Sequence, residues 1–120
     1  MSDVDLIKQT VLDYFEGWFD ADVERMNRAL HSSLVKRPPA DDDAPLAVTT
    51  KARMVELTAA GGGPVATEDR RLEIGVVDVH GRIASVVVRS VPYREYLHLV
   101  RVGDGWRIAN ALWDWTDAPS

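Results

Sequence analysis

The chain has 120 residues with 14 Lys and Arg against 19 Asp and Glu, a formal net charge of −5, and no cysteine. One domain of this length buries roughly two-thirds of its unfolded surface, and the missing cysteine excludes a disulfide scaffold, a thiol nucleophile and a Cys-ligated metal. An acidic balance with scattered basic residues argues against a general nucleic-acid or anionic-membrane binder, whose affinity comes from clustered cations. The opening MSDVDLIKQT lacks the basic start and apolar run of a secretory signal. No apolar run approaches the ~18 residues of a membrane span, so a soluble cytoplasmic protein is expected.

Ser2, followed three residues later by Asp5, is close to a capping box. Val4, Ile7, Val11, Tyr14 or Phe15, and Trp18 then recur at steps of three and four, the mark of an amphipathic helix. Gly17 weakens its last turn, and Asp20 is a candidate N-cap for a second, shorter helix through Val23, Met26 and Leu30, ending near His31. Residues 34–37 fit a short strand. KRPPADDDAP cannot continue it, because prolines lack donors and adjacent carboxylates repel, so residues 38–45 read as an exposed loop. Thr50 caps a third helix through Ala60, with Met54 and Leu57 on one side, and Gly61-Gly62-Gly63-Pro64 ends it.

Beyond that point the period becomes two. Leu72, Ile74 and Val76 alternate, His80-Gly81 turns, and strands follow over 83–91, 93–102 and 106–115, with Gly103-Asp104-Gly105 as a tight hairpin. Helices followed by an antiparallel meander is the α+β pattern. Val86-Val87-Val88 is apolar on both faces, which suggests an outer sheet face covered by a second subunit. Strict alternation along the last strand places Trp106, Ile108, Asn110, Leu112 and Asp114 on one face. The opposite face then carries Arg107, Ala109, Ala111, Trp113 and Trp115.

Several stretches carry a likeness: Tyr14 with Gly17-Trp18-Phe19, Asp20, Leu30-His31 and Gly81-Arg82-Ile83-Ala84. Tyr93-Arg94-Glu95-Tyr96-Leu97-His98-Leu99 and Gly103 to Asn110 complete it, over roughly residues 3 to 115. In these the chain resembles the nuclear transport factor 2-like superfamily of cystatin-like folds, and within it the "putative lumazine-binding" branch beside the SnoaL-like branch. The resemblance implies one domain over 1–120: three N-terminal helices packed on a curved antiparallel sheet, enclosing a cone-shaped pocket. Such folds host isomerases, dehydratases, cyclases, hydrolases, carriers and dimerisation modules, so the fold does not name the chemistry. The acidic base that ketosteroid isomerase places after helix two has no counterpart at His31-Ser32-Ser33.

His31 has two readings: a cap on the carbonyls ending helix two, or a general acid/base at the rim of the cone. Tyr14 and Trp18, one turn apart, either join the core or line a pocket with the phenol as donor. Asn110 is a pocket hydrogen-bonder or an amide satisfied by backbone. His98 lines the cone near Asn110 if its strand face points inward; the preferred reading turns it toward a dimer surface. Arg37 binds a carboxylate at the mouth or pairs with surface acids. His80 in its turn is solvated. Three scattered histidines without HExxH or His-x-His spacing give no metal site, and no phosphate loop, nucleophile elbow or GxGxxG is present, so no cofactor is expected.

Two expectations follow. The first is a homodimeric cone-fold protein binding a small hydrophobic or aromatic ligand. Its enzyme variant is a cofactor-independent isomerase, lyase or hydrolase, with His31 and Tyr14 catalytic and Trp18, Asn110, His98 and Arg37 binding the ligand. The second is a dimerisation or interaction module whose pocket is plugged by Trp18, Met26, Met54 and Trp106.

Overall fold

A computed structural model describes residues 1–116, so the last four residues of the expected 1–120 domain lie outside the described residues. The elements are α1 (Asp3–Asp20), α2 (Val23–Ala29), β1 (Leu30–Arg37), α3 (Lys51–Ala59), a short 3-10 turn (Thr67–Asp69), β2 (Leu72–His80), β3 (Ile83–Ser90), β4 (Tyr93–Val102) and β5 (Gly105–Trp115). Three helices pack on one five-stranded sheet of order β1-β5-β4-β3-β2. This is the α+β cone fold that the resemblance implied.

Local capping starts each helix. Ser2 Oγ accepts from Asp5 N at 3.2 Å and Thr50 Oγ1 from Arg53 N at 3.3 Å. The cap of α2 is Asp22, not Asp20: its carboxylate accepts from Arg25 N at 3.2 Å, and Ala21 before it takes a left-handed φ of 54°. Asp20 instead pairs with Arg70. Gly17 has a packing role, since a Cβ there would stand 3.0 Å from the Met26 backbone nitrogen. Its bare Cα lets α2 fold back closely on α1.

The meander β2 to β5 is antiparallel, but β1 pairs with β5 in parallel, so the sheet is mixed where an antiparallel one was expected. A parallel pair needs a long crossover, and α3 with three intervening strands supplies it. β1 also begins at Leu30, earlier than the periodicity indicated. Leu30 leaves the helix for extended backbone (φ −102°, ψ 136°) and takes Ile108 as its ladder partner. His31 is therefore a strand residue, and the helix-cap reading of it does not hold. Its Nδ1 accepts from Ser33 N at 2.9 Å.

Ile7, Val11 and Phe15 on α1 meet Val86, Val88, Leu97, Leu99 and Ile108 of the sheet in one buried core. Each such side chain, fully buried, stabilises the fold by about 1.5–3 kcal/mol. Val4 of the anticipated stripe is 40% exposed. Among the described residues no helix is long and apolar enough to cross a membrane.

Two register shifts break the alternation within the meander β2 to β5, besides one between Leu30 and Val35 of β1 against β5. Val76 and Asp78 pair with the consecutive residues Val86 and Ser85, so Val77 is extra in β2 and stands exposed. In β5, His98 pairs with Asn110 and Leu99 with Ile108, leaving Ala109 as the extra residue. A bulge of one residue exchanges the faces of every side chain beyond it. Trp106 and Ile108 point inward, and so do Ala111, Trp113 and Trp115, whose ladder partners Leu97, Glu95 and Tyr93 lie on the inner side of β4. The single-face set expected for Trp106 to Asp114 is corrected accordingly, and Asn110 turns outward.

Asp13 joins α1 to α2 through Arg25 and Arg28, each at 3.0 Å, while Arg25 also reaches Glu16 at 2.8 Å. Burial alone would raise the Asp13 carboxyl, but hydrogen bonds from Arg28 and Arg25 hold it below its ordinary 3.8. A depressed carboxyl contributes stability that is present above the unfolded value and lost as pH falls through the folded one. Urea midpoints should therefore fall as pH drops below 3.8, and Asp13→Asn should flatten that dependence. Because Arg28 is largely solvated, the substitution should cost about 1–2 kcal/mol at neutral pH.

Candidate functional site

A cavity of about 190 Å³ opens between the helices and the β1-β5-β4 part of the sheet. Helix α1 contributes Tyr14, Phe15 and Trp18 to its wall, and α3 contributes Met54 and Leu57. From the strands come Lys36, Tyr93, Glu95, Trp113 and Trp115, and Thr49 closes one side. The i, i+4 spacing of Tyr14 and Trp18 aims both at this space. Trp113 and Trp115 reach it because of the Ala109 bulge. Tyr93, Trp113 and Trp115 form a cluster with ring centroids 5.1–5.8 Å apart. Trp115, 59% exposed, marks the rim.

The polar part of the wall is a buried triad. Tyr14 Oη donates to Glu95 Oε1 at 2.9 Å, and Lys36 Nζ donates to Tyr14 Oη. Lys36 Nζ stands 3.8 Å from the same carboxylate oxygen, with side-chain exposures of 13% for Lys36 and 3% for Glu95. The lysine is delivered by β1, whose backbone is clamped to the loop before α3: Lys36 N donates to Thr49 O at 3.0 Å and Thr49 N to Lys36 O at 2.8 Å. Nζ also lies 5.5 Å from the centroid of the Trp113 ring, within reach of its electron-rich face. On the far side of the cavity Trp18 Nε1 donates to Tyr93 Oη at 3.2 Å.

Burial pushes the Tyr14 phenol well above its ordinary 10, and the adjacent Glu95 carboxylate pushes in the same direction, so Tyr14 remains a hydroxyl. Burial pulls the Lys36 ammonium below its ordinary 10.5, with Glu95 opposing that fall. The triad is thus an ammonium, a neutral phenol and a carboxylate joined in sequence. It presents no net charge to a ligand, but offers donors on a cation that burial has made easier to deprotonate.

Of the side chains singled out from sequence, Tyr14 and Trp18 meet in this wall. His31, Arg37, His98 and Asn110 do not line it. His98 and Asn110 are brought together, 3.2 Å apart, on the exposed outer face of the sheet, where the Asn110 amide donates to His98 Nδ1. Arg37 follows Lys36 on an exposed strand position. Lys36, Glu95, Trp113 and Trp115 escaped sequence reasoning. A signal existed for the first two: Lys36 shares parity with Leu34, and Glu95 with Leu97 and Leu99, so both are charges on core-facing positions. Among the described residues no group of three or more His, Asp or Glu could hold a metal ion.

A family model described as "Putative lumazine-binding" matches residues 2–114. The chain belongs to that family. Among curated proteins no sequence matches it significantly. Its fold is similar to that of a nuclear transport factor 2-like protein of unknown function from Silicibacter pomeroyi, with TM-score 0.77 and 16% identity over 93% of this chain and 94% of that one. A comparable protein of unknown function from Shewanella baltica gives 0.76 and 16%, covering 96% and 94%. A ketosteroid isomerase-like protein from Erwinia carotovora atroseptica gives 0.69 and 20%, covering 98% of each chain. At these identities the likeness carries the fold alone.

Tyr14→Phe should remove the donor that satisfies Glu95 and cost about 1.5–3 kcal/mol, the range for a hydrogen bond to a charged group. Tyr93→Phe removes only the neutral acceptor of Trp18 and should cost about 1 kcal/mol. Urea unfolding of both variants checks the ranking.

Proposed function

We propose that this protein binds a small planar aromatic or heteroaromatic molecule, uncharged overall and bearing a carbonyl-type acceptor. The observation that carries this reading is the self-neutralised Lys36–Tyr14–Glu95 triad at the side of an aromatic-walled cavity. A ligand ring stacks among Trp18, Tyr93 and Trp113, and its acceptor faces the Lys36 ammonium. A charged ligand would disturb a balanced pair already removed from water, which is costly. Lumazine, in the family's description, is a two-ring dione and falls in this class. A cavity of about 150 Å³ suffices to hold benzene, and the one here is about 190 Å³.

The interaction-module reading is weaker on the same observation. Met26 and Trp106 are core residues, but Trp18 and Met54 border open space and do not fill it. The cofactor-independent isomerase, lyase or hydrolase reading fits the same triad, with Tyr14 as its hydrogen-bond donor.

Tryptophan fluorescence titrated with lumazine, indole and benzyl alcohol tests the proposal. Saturable quenching by at least one of them is expected. Leu57→Trp, which fills the cavity from α3, should abolish that binding while preserving the circular dichroism spectrum. His31→Ala, outside the wall, should leave affinity unchanged. Absence of saturation by all three would remove the proposal.

We further propose a homodimer formed through the outer sheet face, where Val77, Ile83, Tyr96 and Leu112 are exposed. Light scattering coupled to size exclusion should give twice the chain mass, and Tyr96→Glu with Leu112→Glu should return the monomer.

A further inference from the structure

Building on the reading of the cavity as a small-molecule site, we infer that Lys36 captures an aromatic aldehyde covalently. The product is a protonated imine on Nζ, with Tyr14 and Glu95 moving the protons. Imine formation asks for an amine with a free lone pair, and then for an acid to expel water. The wall contains both in one chain of hydrogen bonds. Lys36 Nζ donates to Tyr14 Oη, and Tyr14 Oη donates to Glu95 Oε1 at 2.9 Å. Passing one proton along each bond converts the ammonium to an amine and the carboxylate to a carboxylic acid. Tyr14 keeps a hydroxyl throughout, and the cavity's net charge does not change.

Burial holds the Lys36 ammonium below its ordinary 10.5, which favours release of its proton along that chain. The amine nitrogen attacks the carbonyl carbon, and the carbonyl π pair moves to oxygen. That oxygen takes a proton from the newly bonded nitrogen, giving a carbinolamine. The proton held on Glu95 returns through Tyr14 to the hydroxyl, which leaves as water while the nitrogen lone pair forms C=N. Ammonium plus aldehyde has become iminium plus water. The Glu95 carboxylate is restored beside the new cation, and no oxidant, reductant or co-reactant enters.

The surroundings suit that product. Nζ stands 5.5 Å from the Trp113 ring centroid, a position that favours a cation on nitrogen. Lys36 is the cavity's lysine: the sequence holds two others, Lys8 and Lys51. Lys8 is exposed, and Lys51 donates to Leu30 O at 2.9 Å away from the wall.

The test incubates the full chain with benzaldehyde and cyanoborohydride, which reduces the imine to a stable benzylamine, followed by intact mass measurement and peptide mapping. Benzyl alcohol, which cannot form an imine, is titrated in parallel by fluorescence. One benzyl group per chain on Lys36, with Lys8, Lys51 and the terminal amine largely unlabelled, is the expected result. Glu95→Gln should slow labelling about 10²-fold, the low end of what a positioned acid–base group contributes. Lys36→Arg should lose labelling. Because mapping of the unaltered chain locates the adduct by itself, misfolding of either variant does not rescue or sink the inference. Saturable benzyl alcohol binding with benzaldehyde labelling spread evenly over all amines, or absent, would overturn the imine and leave the binding site standing. If neither compound engages the cavity, the imine falls, and the binding site falls with it unless lumazine or indole gives saturable quenching.

Discussion

Between Leu99 and His98, consecutive on β4, the partner strand takes two steps, from Ile108 to Asn110, and the extra Ala109 turns over every later side chain of β5. Were Ala109 instead paired in regular alternation, Trp113 and Trp115 would point to the outer face, and Asn110 and Leu112 would enter the space beside Tyr14. The bulge lets one strand serve two purposes. Its first half closes the core with Trp106 and Ile108, both nearly inaccessible. Its second half lays two indoles against Tyr93 and Glu95. β1 then pairs in parallel with this second half, Lys36 opposite Ala111, which brings the lysine to the same side. The aromatic wall and the triad therefore share one geometric origin.

The triad also ties the two layers together. Tyr14 belongs to a helix, Lys36 to an edge strand and Glu95 to a central strand, so one hydrogen-bonded unit spans the helix–sheet interface. Such units are expensive to desolvate, and removing one charged partner from a buried pair typically costs about 3–5 kcal/mol because the other is left unpaired. Hydrophobic replacement of all members is often tolerated or stabilising. A buried charge pair is thus a poor device for stability alone, and its location beside open space fits a site better than a scaffold.

The opposite wall is held with equal definition. Gly62 sits at a left-handed φ of 58°, and a Cβ there would come within 2.3 Å of the Trp18 carbonyl oxygen. Gly63 N donates to that same oxygen at 3.1 Å. The end of α3 is thereby seated directly on the last turn of α1, where only a residue without a side chain fits. With β1 clamped to Thr49 on the other side, the cavity's width is set by backbone contacts. A preorganised pocket loses less free energy on ordering when a ligand enters.

Much of this protein is local and was legible in the order of its residues. The α1 stripe, the Ser2 and Thr50 caps, the glycine stop after α3 and the switch to period two are consequences of side-chain spacing and backbone sterics within a few residues. So is the placement of Tyr14 and Trp18 on one helix face. What tertiary structure decided was register and partnership. A bulge leaves no mark in composition, because Ala109 is an unexceptional strand residue and its extra step exists only relative to β4. Hence Asn110 and His98 came together outside the cone, and Trp113 came inside. The switch from helix to strand at Leu30 was likewise set by a partner some eighty positions away, Ile108, and it moved His31 off a helix end. Lys36 and Glu95 stood out faintly, as charges on apolar parity. Their union with Tyr14 required three distant segments to converge, and proximity of that kind is a property of the folded chain.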